Sequence, residues 1–125
     1  MKRILLIDDD MVTLQLTSKF LRNFGFEVED VSDSKLAMDK LMTPHYDLII
    51  SETEMNGLSG FDLCRMLQKY RIELPIVFLT AHDDQTTRDE ASNIGVTRLI
   101  SKRHDYVNLP HIVDAILCAD YRLAG

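Results

Sequence analysis

Residues Asp47 to Gly60 read DLIISETEMNGLSG. An apolar run, Leu48-Ile49-Ile50, ends in Ser51-Glu52, and a loop with two glycines follows. A run that is continuous rather than alternating, and bounded by turn residues, is expected of a strand buried on both faces. The first acidic side chain after it, Glu52, is delivered to whatever lies at the strand's carboxyl end.

The pattern repeats on either side. Ile4–Ile7 is a continuous apolar run ending in Asp8-Asp9-Asp10. Pro75–Leu79 runs into Thr80, and Val96–Ile100 leads to Lys102. Phe26–Val31 alternates instead, with Phe26 and Val28 on one face, as a half-exposed strand does. Tyr46–Ser51 completes a set of five strands.

Amphipathic stretches separate them. Asp10 caps a helix over Val12–Phe24, with Leu14, Leu21 and Phe24 on one face, widened by Val12, Leu16 and Phe20; Gly25 ends it. Asp33 or Ser34 opens a second helix carrying Leu36, Ala37, Leu41 and Met42, stopped by Thr43-Pro44. Ser59 and Asp62 make a capping-box-like start for a third, through Tyr70, with Phe61, Leu63, Met66 and Leu67 inward. Asp83 or Asp84 starts a fourth that runs to Asn93 and closes at Gly95. Its clear core residues are only Ala91 and Ile94, so loose packing and mobility are expected. Asn108, with Pro110 in the first turn, starts a fifth, with Ile112, Val113, Ile116 and Leu117 inward.

Strands alternating with helices predict βα units, right-handed crossovers and a parallel sheet with helices on both faces. Five units fit an α/β fold of the flavodoxin-like (βα)5 kind, strand order 2-1-3-4-5, and residues 1–125 are read as one domain. The net charge of -6 argues against a nucleic-acid surface and against docking on an anionic membrane. No apolar run approaches the ~20 residues of a membrane span, and the run in MKRILLIDDD is too short for a signal peptide. Cys64 and Cys118 form no CxxC pair, so two buried thiols in a reduced, cytoplasmic compartment are expected. His45, His82, His104 and His111 read as surface residues, and the methionines as core filler.

In this strand order ligands bind at the switch point between strands 1 and 3, outside the strands' carboxyl ends. That gathers Asp8, Asp9 and Asp10, Glu52, Thr80 and Lys102. Clustered carboxylates attract a hard divalent cation. An ammonium and a hydroxyl suit phosphoryl oxygens. Together they read as metal-assisted phosphoryl transfer onto a carboxylate. Taken singly, Asp10 is a helix cap, Thr80 a structural hydroxyl and Lys102 a solvated lysine; the joint placement at four strand ends carries the argument.

These residues resemble the receiver domain of two-component response regulators, the CheY-like fold, over nearly the whole chain. RILLIDDD resembles its first strand and acidic pair, FLRNFGFEV its exit from helix 1, DLIISETEMNGLSGFDL its phosphorylation strand and loop, PIVFLTA its Thr80-Ala81 pair and LISK its Lys102. The resemblance implies Mg2+ held by Asp8, Asp9, the phosphoacceptor position Glu52 and the backbone carbonyl of Glu54. It also implies an aspartate that takes a phosphoryl group from a histidine kinase or acetyl phosphate, with Thr80 and Lys102 engaging its oxygens. Four positions depart from that pattern. Glu52 replaces the phosphoacceptor aspartate, Asn56 a proline of the loop, Leu99 an inward-swinging aromatic, and Arg103 a proline that is usually cis.

The leading expectation is therefore a degenerate receiver, not an enzyme: a protein-interaction module in which Glu52 reaches Lys102 and Thr80 in part as a phosphoryl group would. One alternative keeps the chemistry, with Glu52 phosphorylated in the presence of Mg2+. Another is a small haloacid-dehalogenase-like phosphatase using Asp8 and Asp10 of the DDDMV stretch. A flavin carrier is disfavoured, because three aspartates repel a phosphate. Expected partners are a histidine kinase or a downstream effector, with no nucleic acid or membrane. A homodimer through the face of helix 4, strand 5 and helix 5, where Arg98, Arg103 and Tyr106 lie, rests on the resemblance. The sequence names neither the signal nor the partner, and leaves open a stand-alone protein or a domain of a longer regulator.

Overall fold

The computed structural model describes residues 1–43 and 45–124, with side chains in the last helix up to residue 119. Its elements are β1 (Arg3–Ile7), α1 (Met11–Asn23), β2 (Glu27–Val31), α2 (Ser34–Leu41), β3 (Leu48–Ser51), α3 (Gly60–Lys69), β4 (Ile76–Thr80), α4 (Gln85–Ile94), β5 (Arg98–Ser101) and α5 (Leu109–Ala124), the last preceded by a short 3-10 turn at Tyr106–Asn108. The sheet is parallel and ordered β2-β1-β3-β4-β5, as expected.

Side chains alternate across a strand, so each buried strand feeds two cores. Ile4 and Leu6, Leu48 and Ile50, Val77 and Leu79, and Ile100 pack with α1 and α5 on one face. Leu5 and Ile7, Ile49, Ile76 and Phe78, and Leu99 pack with α2, α3 and α4 on the other. That two-sided burial is why these strands are continuous apolar runs. Local signals set the helix ends. Asp10, Asp33, Ser59 and Asp84 each accept from a backbone N–H of the first turn, and Ser59 with Asp62 forms a complete capping box.

Several inward assignments are corrected. Val12, Leu16 and Phe24 of the α1 region are 68%, 61% and 44% exposed, while Thr17 and Ser18 are buried. The narrow seam Leu14, Thr17/Ser18, Leu21 is the buried side of α1. In α2, Leu36 and Met42 are exposed and Met38 takes the inward place. Cys118 is exposed, so only Cys64 is a buried thiol; burial pushes its pKa up to about 11. All four histidines are exposed. Of the stop expected at Thr43-Pro44, Pro44 lies outside the described residues. No helix among the described residues is long and apolar enough to cross a membrane.

Candidate functional site

Parallel register carries the strand ends to one level. Ile7 is opposite Ser51, Ser51 opposite Phe78, and Thr80 opposite Ser101. Ladder bonds continue one residue further: Glu52 N–H donates to Ile7 carbonyl at 3.0 Å, and Lys102 N–H to Thr80 carbonyl at 2.9 Å. Asp8, Glu52, Thr80 and Lys102 therefore meet because of topology, as the sequence predicts.

Lys102 lies at the centre. Its Nζ donates to Asp8 Oδ2 at 2.8 Å and to Glu52 Oε2 at 2.7 Å. The three side chains are 18%, 6% and 9% exposed, so these are largely desolvated, charge-assisted bonds. Burial works to lower the Lys102 pKa, but the bonds to Asp8 and Glu52 raise it overall. Burial works to raise the Glu52 pKa, but the hydrogen bond and charge of Lys102, with Thr53 N–H, hold it below the ordinary carboxylate range. Both groups are therefore charged near neutral pH.

The other oxygen of Glu52 folds back on the chain. Oε1 accepts from Thr53 N–H at 2.7 Å and from the Thr53 hydroxyl at 3.1 Å. That hydroxyl also meets the Thr80 hydroxyl at 3.0 Å, and Thr80 Oγ1 accepts from His82 N–H at 2.9 Å. Thr53, 1% exposed, thus links Glu52 to Thr80. Sequence reasoning missed it; the signal was a hydroxyl residue directly after the delivered acid.

The remaining acids have other duties. Asp8 Oδ1 accepts from Asp10 N–H at 3.0 Å. Asp10, one of the two residues of the phosphatase reading, caps α1 through Val12 N–H, Thr13 N–H and the Thr13 hydroxyl. Asp9 Oδ2 accepts from Asn56 N–H at 2.9 Å. The Glu54 carboxylate lies 3.4 Å from His82 Nε2.

Asp8 and Glu52 do converge on one point, but that point is Lys102 Nζ, and Asp9 is turned to Asn56. Among the described residues no three carboxylate, histidine or cysteine side chains are arranged to hold a metal. In this arrangement Asp8 and Glu52 are bound to Lys102 and one oxygen of Asp9 to Asn56 N–H, rather than converging together on an ion.

Two neighbouring features shape the site. Gly60, at the start of α3, backs onto it: a Cβ there would lie 2.4 Å from the Glu52 carbonyl oxygen and 2.9 Å from the Phe78 ring. Only glycine allows that approach. Asp83, in the loop after β4, accepts from the Ser101 hydroxyl at 2.6 Å and from the Arg103 guanidinium. These bonds, Ser101 first, bring its pKa down to about 2. Ser101 Oγ in turn accepts from Arg103 N–H and His104 N–H, both at 3.2 Å. The loops after β4 and β5 are thereby tied together. The sequence singled out Arg103 as a missing proline and as part of an expected dimer face, not as a partner of Asp83; no cis peptide bond occurs among the described residues. Tyr106 faces α1, its hydroxyl 2.8 Å from that of Thr17 and its ring 5.5 Å from Phe20, while Arg98 is exposed.

Residues 4–114 match the family model described as the response regulator receiver domain. Sensor protein EvgS of Escherichia coli O157:H7 is 32% identical over 99 residues, 79% of this chain and 8% of its own length. Heme response regulator HssR of Staphylococcus saprophyticus is 30% identical over 117 residues, 94% of this chain and 52% of its own length. The chain thus spans about half or less of these relatives. The solved response regulator TrrA of Thermotoga maritima, in complex with Mg2+-BeF, superposes with a TM-score of 0.80 at 28% identity, covering 92% of this chain and 98% of that one.

Proposed function

The chain belongs to the response regulator receiver domain family, and on that premise we propose that residues 1–125 form one receiver domain that is not switched by ordinary aspartyl phosphorylation. It acts instead as a protein-interaction module of a two-component pathway, with a histidine kinase or a downstream effector as partner, in the cytoplasm. The observation that carries this reading is the Glu52 carboxylate. Both of its oxygens are bound internally, Oε1 by Thr53 and Oε2 by Lys102. A phosphoacceptor needs a free oxygen aligned with the incoming phosphorus, and misalignment of about 1 Å costs on the order of a hundredfold in rate.

In this reading Glu52, Thr80 and Lys102 keep their places and lose their reaction. Glu52 supplies one negative charge where a phosphoryl group supplies nearly two and three acceptor oxygens. It engages Lys102 fully and Thr80 through the shared Thr53 hydroxyl. Leu99, 9% exposed, is packed in the core where the resemblance calls for a mobile aromatic. The result is one held conformation rather than a switch. Incubation with acetyl phosphate and Mg2+, read by intact mass, tests it. No adduct is expected, and a stable single phosphoryl group on Glu52 would establish the alternative.

A further inference from the structure

We propose that this site takes no divalent cation, because the chain fills the ion's place from within: the Lys102 ammonium sits between Asp8 and Glu52, and Asn56 N–H holds Asp9. The inference rests on the reading of the site as an internally closed receiver site, and concerns its ion rather than its phosphoryl chemistry. A hard cation requires several carboxylate or carbonyl oxygens free to converge on it, and Mg2+ gives up its water reluctantly. Here all four carboxylate oxygens of Asp8 and Glu52 already have protein donors. Asp8 Oδ1 has Asp10 N–H, Asp8 Oδ2 and Glu52 Oε2 share Lys102, and Glu52 Oε1 has both donors of Thr53.

Asn56 adds the second half. Its backbone N–H reaches Asp9 Oδ2 at 2.9 Å. A proline, which the resemblance leads one to expect at this position, has no N–H to donate. The departure at 56 therefore creates a bond that the usual residue cannot make, and it ties Asp9 Oδ2 to the loop. An entering ion would compete with four sets of donors, the Lys102 ammonium, Asp10 N–H, Thr53 and Asn56 N–H, three of which include a backbone N–H.

The test is Mg2+ titration of the full chain, followed by amide NMR and thermal melting. At about 10 mM MgCl2 the parent's Asp8, Asp9 and Glu54 amides are expected to show no saturable shift, and its melting temperature no rise. Lys102→Met removes the counter-charge, and Asn56→Pro releases Asp9. The double variant is expected to bind Mg2+ saturably and to melt higher with it, or to fold only on its addition. Saturable shifts at Asp8 and Asp9 in the parent overturn the proposal. A folded double variant that ignores Mg2+ overturns it as well. A parent that binds the ion yet takes no phosphoryl group sinks this inference and leaves the preceding reading standing.

Discussion

Replacing Lys102 with methionine keeps the stem and removes the ammonium. Asp8 and Glu52, 6% and 9% exposed, each lose a bond, of 2.8 and 2.7 Å. Stripping one partner from a buried ion pair costs roughly 3–5 kcal/mol. Here the cost has a ceiling, because Glu52 can take up a proton instead. Starting from its ordinary value of 4.5, neutralising it at pH 7 costs about 3.4 kcal/mol. The expected loss is therefore about 2–4 kcal/mol at pH 7, or on the order of 10 °C in melting temperature for a chain of this size. The pH dependence has a definite sign. The folded pKa of Glu52 is depressed, so its contribution is present above its ordinary value and is lost as pH falls through the folded one. Lys102 is raised, so its contribution holds below its ordinary 10.5 and is lost only as pH rises through the folded value. Parent and variant should differ most at neutral pH and converge in acid. Urea unfolding followed by circular dichroism, with EDTA present, measures both. A loss under about 0.5 kcal/mol at neutral pH, or a gap that does not narrow in acid, would show that the ammonium is not held as described.

Three further outcomes are expected. Gly60→Ala should cost roughly 1–3 kcal/mol by urea unfolding, because its methyl collides with the Glu52 carbonyl; amide shifts at Glu52 and Thr53 should move with it. Asp83→Asn should speed hydrogen exchange in the loops after β4 and β5. In the parent, the contribution of Asp83 should be lost as pH falls from 3.8 through about 2, seen as a steeper acid limb than in the variant. Amides of α4 should exchange faster than those of α3, since Ala91 is its one fully buried residue.

The strands and helix ends were legible because their signals are local. A continuous apolar run, a capping Asp or Ser and a terminal glycine each act within a few residues. The meeting of Asp8, Glu52, Thr80 and Lys102 was legible once the strand order was, since all four sit at strand ends. What failed was finer. Val12 and Leu16 misled because hydrophobicity alone cannot orient a helix whose seam is closed by Thr17 and Ser18. Thr53 was missed because its role depends on the rotamer of the residue before it. The Asp83–Ser101–Arg103 tie joins residues 18 and 20 positions apart, which no short pattern reports. Asn56 lies between these cases. Its oddity was visible, but the consequence belongs to a backbone N–H that almost any residue would supply, so the informative signal was the proline that is not there.

These contacts also bound what a partner can do to the domain. A ligand moves a two-state equilibrium only by its differential affinity, and reversing a 99:1 population takes about 5.5 kcal/mol of it. In this chain three linked sets of bonds favour the same arrangement: Lys102 on Asp8 and Glu52, Thr53 on Glu52 and Thr80, and Asp83 on Ser101 and Arg103. Releasing the first alone is expected to cost about 2–4 kcal/mol. A partner that fits this arrangement has no opposing state to overcome, so its affinity should be constitutive and indifferent to phosphodonors. A partner that required the loops to open would carry that cost as weaker binding. Under the proposed reading, regulation would fall on the amount of the protein or the presence of the partner, with Glu52 fixing the state rather than recording a signal.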